Sequence, residues 1–263
     1  MPKPLVIIDC VGLTPAHLGS DTPHLSRLAS EGFATPMTGV IPAVTTTAQS
    51  SMITGVLPQE HGIVANGWYF RELGEVWLWR QSQKLVQAPS MWEIARRSNP
   101  NLKVLKHFWW YAMNTDVTAT VTPRPVYHQD GAKSPDFYAS PAEIKQAILQ
   151  RHGEFPLFQF WGPTAAIEST RWIADAALHV EEKFHPTLSL VYLPHLDYVL
   201  QRVGPDLSHR DVQKDLQQLD NVAGYLIDSY TRAGCRVIVL SEYGISKVHR
   251  PVHLNRVLRE DGL

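Results

Sequence analysis

Short apolar segments that alternate with longer helical patterns are the feature that most constrains the fold of this chain. Leu5–Cys10, 187–193 and Arg236–Leu240 have the length and apolar content of strands buried on both faces of a sheet. Two long segments, Ile167–Phe184 and 211–233, carry apolar residues at helical spacing. Strands connected by helices in this order predict an α/β fold with a mostly parallel, doubly wound sheet.

Two helices near the amino terminus are predicted from the residues that begin and end them. Thr22 and Pro23 begin a segment with apolar residues at helical spacing, and Gly32 ends it, which predicts a helix over 22–32. A second helix is predicted over 46–54, because a strand ending at 40–42 precedes it and a Gly-Val-Leu-Pro sequence follows it. This arrangement would place Thr45 at the amino terminus of a helix.

Residues from about 67 to 163 differ in character from the rest. They hold most of the tryptophans and a proline-rich stretch at 122–125. We interpret them as a partly inserted region within one α/β domain that spans 1–263. Inside the region, a short strand is predicted at 104–108 and a helix at 141–151.

Composition excludes several classes of protein. The chain has 263 residues, of which 44% are hydrophobic and 19% charged, so it can bury a sizeable core. A formal net charge of −1 argues against a nucleic-acid partner held by bulk charge. The two cysteines, Cys10 and Cys235, lie in predicted strands, so no disulfide framework is expected. No signal-peptide pattern and no apolar run of about 18 residues is found, which predicts a cytoplasmic protein without a membrane span.

Polar side chains stand at four predicted strand ends, namely Asp9, Thr45, Asp197 and Glu242. The carboxyl ends of parallel strands are where open α/β sheets place ligands, so we expect these side chains to share one site. Each acid taken alone could equally be a helix cap or a turn former. Carboxylates with an added histidine suit Zn²⁺, Mn²⁺ or a similar divalent ion. Of two nearby histidines, His253 is the better candidate, because His249 lies in a basic turn.

The amino-terminal motifs, taken with their spacing, point to a known family. Asp9 is followed by Thr-Pro-His-Leu-Ser-Arg-Leu at 22–28, by Thr-Gly at 54–55, and by His-Gly-Ile at 61–63 ahead of Asn66. In these motifs the chain resembles the type I phosphodiesterase and nucleotide pyrophosphatase branch of the alkaline phosphatase superfamily over nearly its whole length. The resemblance implies an alkaline phosphatase-like three-layer α/β/α sandwich. It also implies that Thr45 is the nucleophile and that Asn66 hydrogen-bonds the phosphoryl oxygens.

The resemblance further implies a divalent metal centre of up to two ions, with zinc in first place and manganese as the alternative. The predicted metal ligands are Asp9, Thr45, Asp197, Glu242 and His253. Of these, His253 is included because it follows Glu242 closely in the sequence. The implied chemistry is hydrolysis of a phosphodiester or pyrophosphate bond in a small, nucleotide-like substrate through a threonyl-phosphate intermediate.

The later motifs depart from the family pattern. Gln201 stands where the family has a histidine ligand, and Glu242-Tyr243 replaces an Asp-His pair. Glutamate can still bind a metal, whereas the phenol of tyrosine must first lose a proton that normally leaves near pH 10. His195 could compensate if the backbone between it and Asp197 stayed extended. The family pattern also continues past the position of Leu263, so we expect an incomplete sandwich with uncovered apolar sheet surface, which a homodimer would bury.

The sequence around Thr45 and the later motifs also bear on three alternatives to the hydrolase. A sulfatase is disfavoured because no Cys/Ser-x-Pro-x-Arg setting surrounds Thr45, and a phosphomutase would need the later ligands in full. A non-catalytic relative that acts as a binding or assembly component is favoured by Gln201 and Tyr243. The tryptophans from Trp68 to Trp110 could stack on a base, although core packing is the commoner role of such residues.

Overall fold

A six-stranded sheet forms the centre of the computed structural model, which describes residues 3–263. The strands are β1 (Leu5–Cys10), β2 (Gly67–Phe70), β3 (Glu75–Leu78), β4 (Val104–His107), β5 (Ala119–Pro123), β6 (Val126–Tyr127), β7 (Lys133–Ser134), β8 (Phe137–Ser140), β9 (Leu188–Leu193) and β10 (Arg236–Leu240). The central sheet has the order β10-β1-β9-β4-β5-β8. All neighbouring pairs in it are parallel except β5 with β8. The predicted α/β fold with a mostly parallel sheet is confirmed.

Helices connect the strands. They are α1 (Pro23–Glu31), α2 (Thr45–Thr54), α3 (Pro58–His61), α4 (Met91–Arg96), α5 (Glu143–His152), α6 (Ile167–Phe184), α7 (His195–Val203), α8 (Arg210–Arg232) and α9 (Leu254–Glu260). Short 3₁₀ turns lie at Pro15–His17, Gln83–Leu85, Leu157–Gln159 and Gly162–Thr164. The predicted helices α1, α2, α5, α6 and α8 form within two residues of their expected bounds. The helix α7 was not predicted.

Successive residues of β1 enter two different cores, which shows that helices cover both faces of the sheet. Ile8 belongs to the larger cluster, which includes residues of α6 and α8. Ile7 belongs to a second cluster with Ile53 of α2 and Trp92 of α4. Because side chains alternate between the faces of a strand, an apolar run such as β1 is stable only when both faces are covered.

The segment before α2 does not form the expected strand. Residues 33–44 have no strand partner, and Ile41 is 90% exposed. Pro36 and Pro42 each lack the backbone N–H that a strand in a ladder would donate. The prediction of a strand ending at 40–42 is therefore wrong, although α2 still begins at Thr45.

The tryptophan-rich region contributes to the central sheet and also extends beyond it. Its strands β4, β5 and β8 lie in the sheet, whereas β2 pairs with β3, and β6 with β7, as separate two-stranded ribbons. In the ribbon β2–β3, Trp68 stacks on Phe70, and Phe70 contacts Trp77 in a tilted arrangement. Trp92 and Trp109, in contrast, are each 1% exposed, so core packing explains these two tryptophans.

Apolar surface remains exposed at the β10 side of the sheet. Ile238 in this edge strand is 46% exposed, and no residue of α9 is buried. The predicted homodimer stays a prediction. Cys10 and Cys235 are both free thiols. Within residues 3–263, no helix combines the length and apolar character needed to cross a bilayer.

Candidate active site

The ends of two neighbouring strands bring the first two acids together. Asp9 pairs in register with Leu240, and Glu242 follows two residues later in the chain, so parallel pairing of β1 with β10 places both carboxyls at one edge of the sheet. Both acids are buried, at 0% and 1% exposure. The two side chains are close neighbours, because each affects the pKa of the other and both accept a hydrogen bond from the same Gln49 amide. The predicted convergence of these two strand ends is what the structure shows.

Thr45 is the first residue of α2 and is 5% exposed. Its hydroxyl lies beside the Glu242 carboxyl and the Tyr243 hydroxyl. The preceding residue, Val44, is extended, so the chain enters the helix abruptly and presents the Thr45 side chain at the helix end. Backbone N–H groups in the first turn of a helix have no partner within the helix and can attract anions.

Gln49 lies one helical turn after Thr45 and links the two acids. Its Nε2 donates to Glu242 Oε1 over 2.7 Å and to Asp9 Oδ2 over 3.3 Å. Its Oε1 accepts a hydrogen bond from the Trp110 N–H over 2.8 Å. The carbonyl end of the amide is thereby fixed, so the NH₂ end must face the carboxyls.

The electrostatics of the acid pair favour a bound cation. Burial raises the pKa of the Asp9 carboxyl to about 7. Burial, followed by the neighbouring Asp9 charge, raises the pKa of Glu242 well above its usual value. Asp9 Oδ1 and Glu242 Oε2 have no hydrogen-bond partner although both are buried. Two adjacent carboxyls with free oxygens form a donor set that suits a hard divalent ion, which would stabilise both charges.

Asn66 is held against the start of α2. Its Oδ1 accepts hydrogen bonds from the Thr46 N–H and the Thr46 hydroxyl, each over 3.0 Å. The Thr46 hydroxyl also lies 2.8 Å from the carbonyl oxygen of Ala65. The structure therefore places the Asn66 side chain against Thr46, the residue that follows Thr45. The Asn66 NH₂ group is turned away from the Thr46 N–H.

Asp197 lies on a helix instead of at a strand end, because α7 begins at His195 directly after β9. Its Oδ2 accepts a hydrogen bond from Gln201 Nε2 over 2.7 Å, while its Oδ1 is buried without a partner. Burial raises its pKa to about 6. The Tyr243 hydroxyl lies close to the Asp197 carboxyl and close to the Thr45 hydroxyl, so it stands as a bridge between the two residues.

The histidines do not join this cluster. The condition under which His195 could compensate for a lost ligand is not met, because the backbone is helical there and the His195 Nε2 faces Asp215 Oδ1 at 3.6 Å. His253 is exposed at the start of α9, as is His249 in the preceding loop. Across residues 3–263, no group of three or more His, Cys, Asp or Glu side chains is close enough to hold a metal ion.

The donor set thus fits one ion better than two. Asp9, Glu242 and the Thr45 hydroxyl offer oxygens for a first divalent ion. A second ion near Asp197 would meet the amide of Gln201 and the phenol of Tyr243, which are poor ligands at neutral pH. Burial first, and then the charge of Asp197, raises the pKa of Tyr243 beyond its normal value.

Sequence reasoning missed Gln49, which has no ionisable group and no motif to mark it. A usable signal was its spacing: residues i and i+4 share a helix face, so a helix that begins at Thr45 places Gln49 on the Thr45 side. The role of Tyr243 as a bridge was missed as well.

A comparison with protein families decides the classification. The family model for type I phosphodiesterase / nucleotide pyrophosphatase matches residues 5–263. The chain belongs to this family. An uncharacterized pyrophosphatase/phosphodiesterase of Schizosaccharomyces pombe is 24% identical over 252 residues, which cover 92% of this chain and 44% of the relative.

Solved structures share the fold of this family member. Phosphonoacetate hydrolase from Sinorhizobium meliloti, in complex with phosphonoformate, superposes with a TM-score of 0.66 at 17% identity and covers 98% of this chain and 62% of its own. Murine ectonucleotide pyrophosphatase / phosphodiesterase 5, as an inactive variant in complex with AMP, gives 0.60 at 18% identity, with 97% and 61% covered. The chain thus spans less than half of the yeast relative and about three fifths of these solved chains. At such identities the likeness shows the fold alone.

Proposed function

We propose that this family member is a metal-dependent hydrolase of phosphodiester or pyrophosphate bonds, with Thr45 as its nucleophile. The observation that carries the proposal is the position of Thr45. Its hydroxyl lies at the start of α2, beside the Glu242 carboxyl, while Asn66 is hydrogen-bonded to the next residue. A nucleophile, acidic oxygen donors and an amide donor are therefore within one small, buried site, as phosphoryl transfer requires.

The proposed metal ligands are Asp9, Glu242 and the Thr45 hydroxyl, with Zn²⁺ as the first choice and Mn²⁺ as the second. A divalent ion in that position would lower the pKa of the hydroxyl and neutralise phosphate charge. The free oxygens Asp9 Oδ1 and Glu242 Oε2 support this assignment. Asp197 remains a proposal for a second ion, whereas His253, which is exposed at the start of α9, would have to move toward Asp197 for the predicted ligand set to form.

Each residue has a defined part in the proposed reaction. The Thr45 Oγ gives up its proton and forms a bond to phosphorus while the bond from phosphorus to the leaving oxygen breaks on the opposite side, and the leaving oxygen takes up a proton. The charge that develops on the phosphoryl oxygens is stabilised by the Asn66 NH₂ group and by the first-turn N–H groups of α2 other than that of Thr46, which already donates to Asn66. Water then attacks the threonyl-phosphate, which releases the product phosphate and restores the Thr45 hydroxyl.

The proposed substrate is a small phosphodiester or nucleotide-like pyrophosphate. Support comes from the family and from the AMP named in the complex of the murine neighbour. The predicted cytoplasmic location stays a prediction.

A second candidate is a non-catalytic relative that keeps the fold and one cation or phosphate site. It is favoured by Gln201 and Tyr243 near Asp197, and by the lack of a three-ligand group within the described part of the chain. Such a protein would bind a divalent ion or a phosphate ester without turning it over.

The deciding experiment measures release of nitrophenol from a nitrophenyl ester of a nucleotide by purified protein with Zn²⁺ or Mn²⁺. Thr45→Ala should abolish turnover. Thr47→Ala is a matched control, because Thr47 is a buried threonine on the same helix whose hydroxyl has no partner. Equal turnover by Thr45→Ala and the wild type would contradict the nucleophile assignment. Binding of the ester without turnover by the wild type would favour the second candidate.

A further inference from the structure

Gln49 is a neutral side chain that is hydrogen-bonded to both members of the acid pair. It is 1% exposed, and its NH₂ group donates to Asp9 and to Glu242. Two adjacent carboxyls repel each other whenever both are ionised, so their spacing needs an external constraint. A donor shared between them supplies such a constraint, since each hydrogen bond weakens if its carboxyl moves away.

The orientation of this amide is itself fixed from outside the site. The Trp110 N–H donates to Gln49 Oε1 over 2.8 Å. If the amide were turned over, its NH₂ group would face the Trp110 N–H and its oxygen would face two carboxyls, which would cost three hydrogen bonds. The Trp110 backbone therefore decides which end of Gln49 meets the acids.

The Trp110 backbone is anchored in turn by a buried lysine. Lys106 Nζ donates to the carbonyl oxygens of Trp110 and Tyr111 over 3.0 and 2.8 Å, and lies 3.4 Å from Gln83 Oε1. Lys106 is 0% exposed and lies in β4, so its amine is held by the central sheet. A chain of hydrogen bonds thus runs from β4 through the Trp110 segment and Gln49 to the acid pair.

We infer that Gln49 is a positioning residue that holds the Asp9 and Glu242 carboxyls at a fixed separation, and that Lys106 sets its orientation through the Trp110 backbone. The inference rests on the proposed function in one respect, namely that the acid pair serves phosphoryl transfer. Side chains that orient metal ligands from outside commonly change metal affinity or activity about 10- to 100-fold when removed.

The first test uses the metal-free protein labelled with ¹⁵N in its glutamine side chains. The NH₂ signals of Gln49 are assigned by their loss in Gln49→Met, or by their contacts to the Trp110 N–H if that variant does not fold. We expect them to shift in Glu242→Gln and in Lys106→Met, while the Gln81 signals stay in place. Gln49 signals that do not move in Glu242→Gln would overturn the inference.

The second test compares Gln49→Met with Gln81→Met. Gln81 is a buried glutamine whose side-chain atoms have no partner, so its substitution removes a similar volume without touching the acids. We expect Gln49→Met to weaken Mn²⁺ binding, which is measured from the electron paramagnetic resonance signal of free Mn²⁺. We also expect it to lower kcat by about 10- to 100-fold while KM changes less than about threefold. Gln81→Met should leave the Mn²⁺ affinity and kcat within about threefold of the wild type.

The outcomes separate the inference from the function on which it rests. An inactive wild type whose Gln49 signals respond to Glu242→Gln would reject the hydrolase and keep the positioning role. An active wild type with unchanged kcat and Mn²⁺ affinity in Gln49→Met would reject the positioning role and keep the hydrolase.

Discussion

Gln201 Nε2 donates a hydrogen bond to Asp197 Oδ2 over 2.7 Å, one turn away on the same helix. A neutral amide thus occupies the place where the family pattern has a histidine. It satisfies one oxygen of the acid without offering the nitrogen lone pair that a zinc ion would use.

Gln201→His should strengthen zinc binding near Asp197. An imidazole at this position would lie on the same face of α7 as the acid and would add a good zinc ligand. We expect the second equivalent of Zn²⁺, titrated calorimetrically, to bind at least about tenfold more tightly than in the wild type. Gln201→Leu is the control and should show no gain. Equal zinc binding by both variants would contradict a role for Asp197 in holding an ion.

Asn66→Asp should lower kcat/KM by about 10²- to 10³-fold, because it replaces the donor to the phosphoryl oxygens with a negative charge. The fold should change little, since a carboxyl oxygen can still accept the hydrogen bonds from Thr46. Kinetics with the nitrophenyl nucleotide ester and a thermal melt check both statements. Asn101→Asp, at an exposed position, is the control. Unchanged kcat/KM in Asn66→Asp would remove Asn66 from the site.

Glu181→Gln should stabilise the protein at high pH. Burial raises the pKa of Glu181 to about 7 in the fold, against an ordinary value of 4.5. The folded state therefore holds this proton more tightly than the unfolded state, and the stability it contributes below pH 4.5 is lost as pH rises through 7. At pH 8 the substitution removes the cost of ionising a buried carboxyl, which is at most about 3 kcal/mol. The Oε1 of the introduced glutamine can still accept the hydrogen bond from the Ser189 hydroxyl.

Urea unfolding at pH 4.5 and pH 8 measures this effect. The gain from Glu181→Gln should appear at pH 8 and shrink toward pH 4.5. Glu182→Gln is the matched control, because Glu182 is the next residue and is exposed. A gain of the same size at both pH values would show that the carboxyl does not titrate as expected.

Lys106 should make the stability rise with pH between 7 and 10. Burial lowers the pKa of its amine from 10.5 to about 7 in the folded state. Between these values the unfolded chain binds a proton that the fold does not, so raising the pH favours the fold. The free energy of unfolding of the wild type, minus that of Lys106→Met, should therefore increase from pH 7 to pH 10. If urea unfolding gave the same free-energy difference between wild type and Lys106→Met at every pH, this prediction would be refuted. Lys103→Met is the control at an exposed site, and its free-energy difference from the wild type should not rise with pH.

Several elements were predictable because their signals are local. Caps and helical spacing marked α1 and α6, and apolar runs marked β1 and β10. Asp9 lies in β1 and Glu242 follows β10, so two of the three acids at the site followed from strand pairing alone. Local signals failed where tertiary context decides: residues 40–42 have strand-like composition but no partner strand, and residues 195–203 form a helix where an extended backbone was considered.

Side-chain networks were the least predictable part of the site. The position of Gln49 depends on the Trp110 N–H, which lies 61 residues away in the chain. Nothing in the sequence near Gln49 indicates that contact. The same holds for Tyr243, whose bridge between Thr45 and Asp197 depends on the spacing of α2, α7 and the end of β10.

The order of strands in the sheet has a consequence for biosynthesis. The first strand, β1, lies between β9 and β10, which are the last two strands of the described chain to be made. A nascent chain therefore carries an apolar strand without a neighbour until residues 188–193 have left the ribosome. Asp9 is synthesised more than 230 residues before Glu242 and meets it only after translation has passed β10. Until then β1 is an apolar strand without either of its sheet neighbours, and this late, non-local pairing leaves the growing polypeptide open to aggregation.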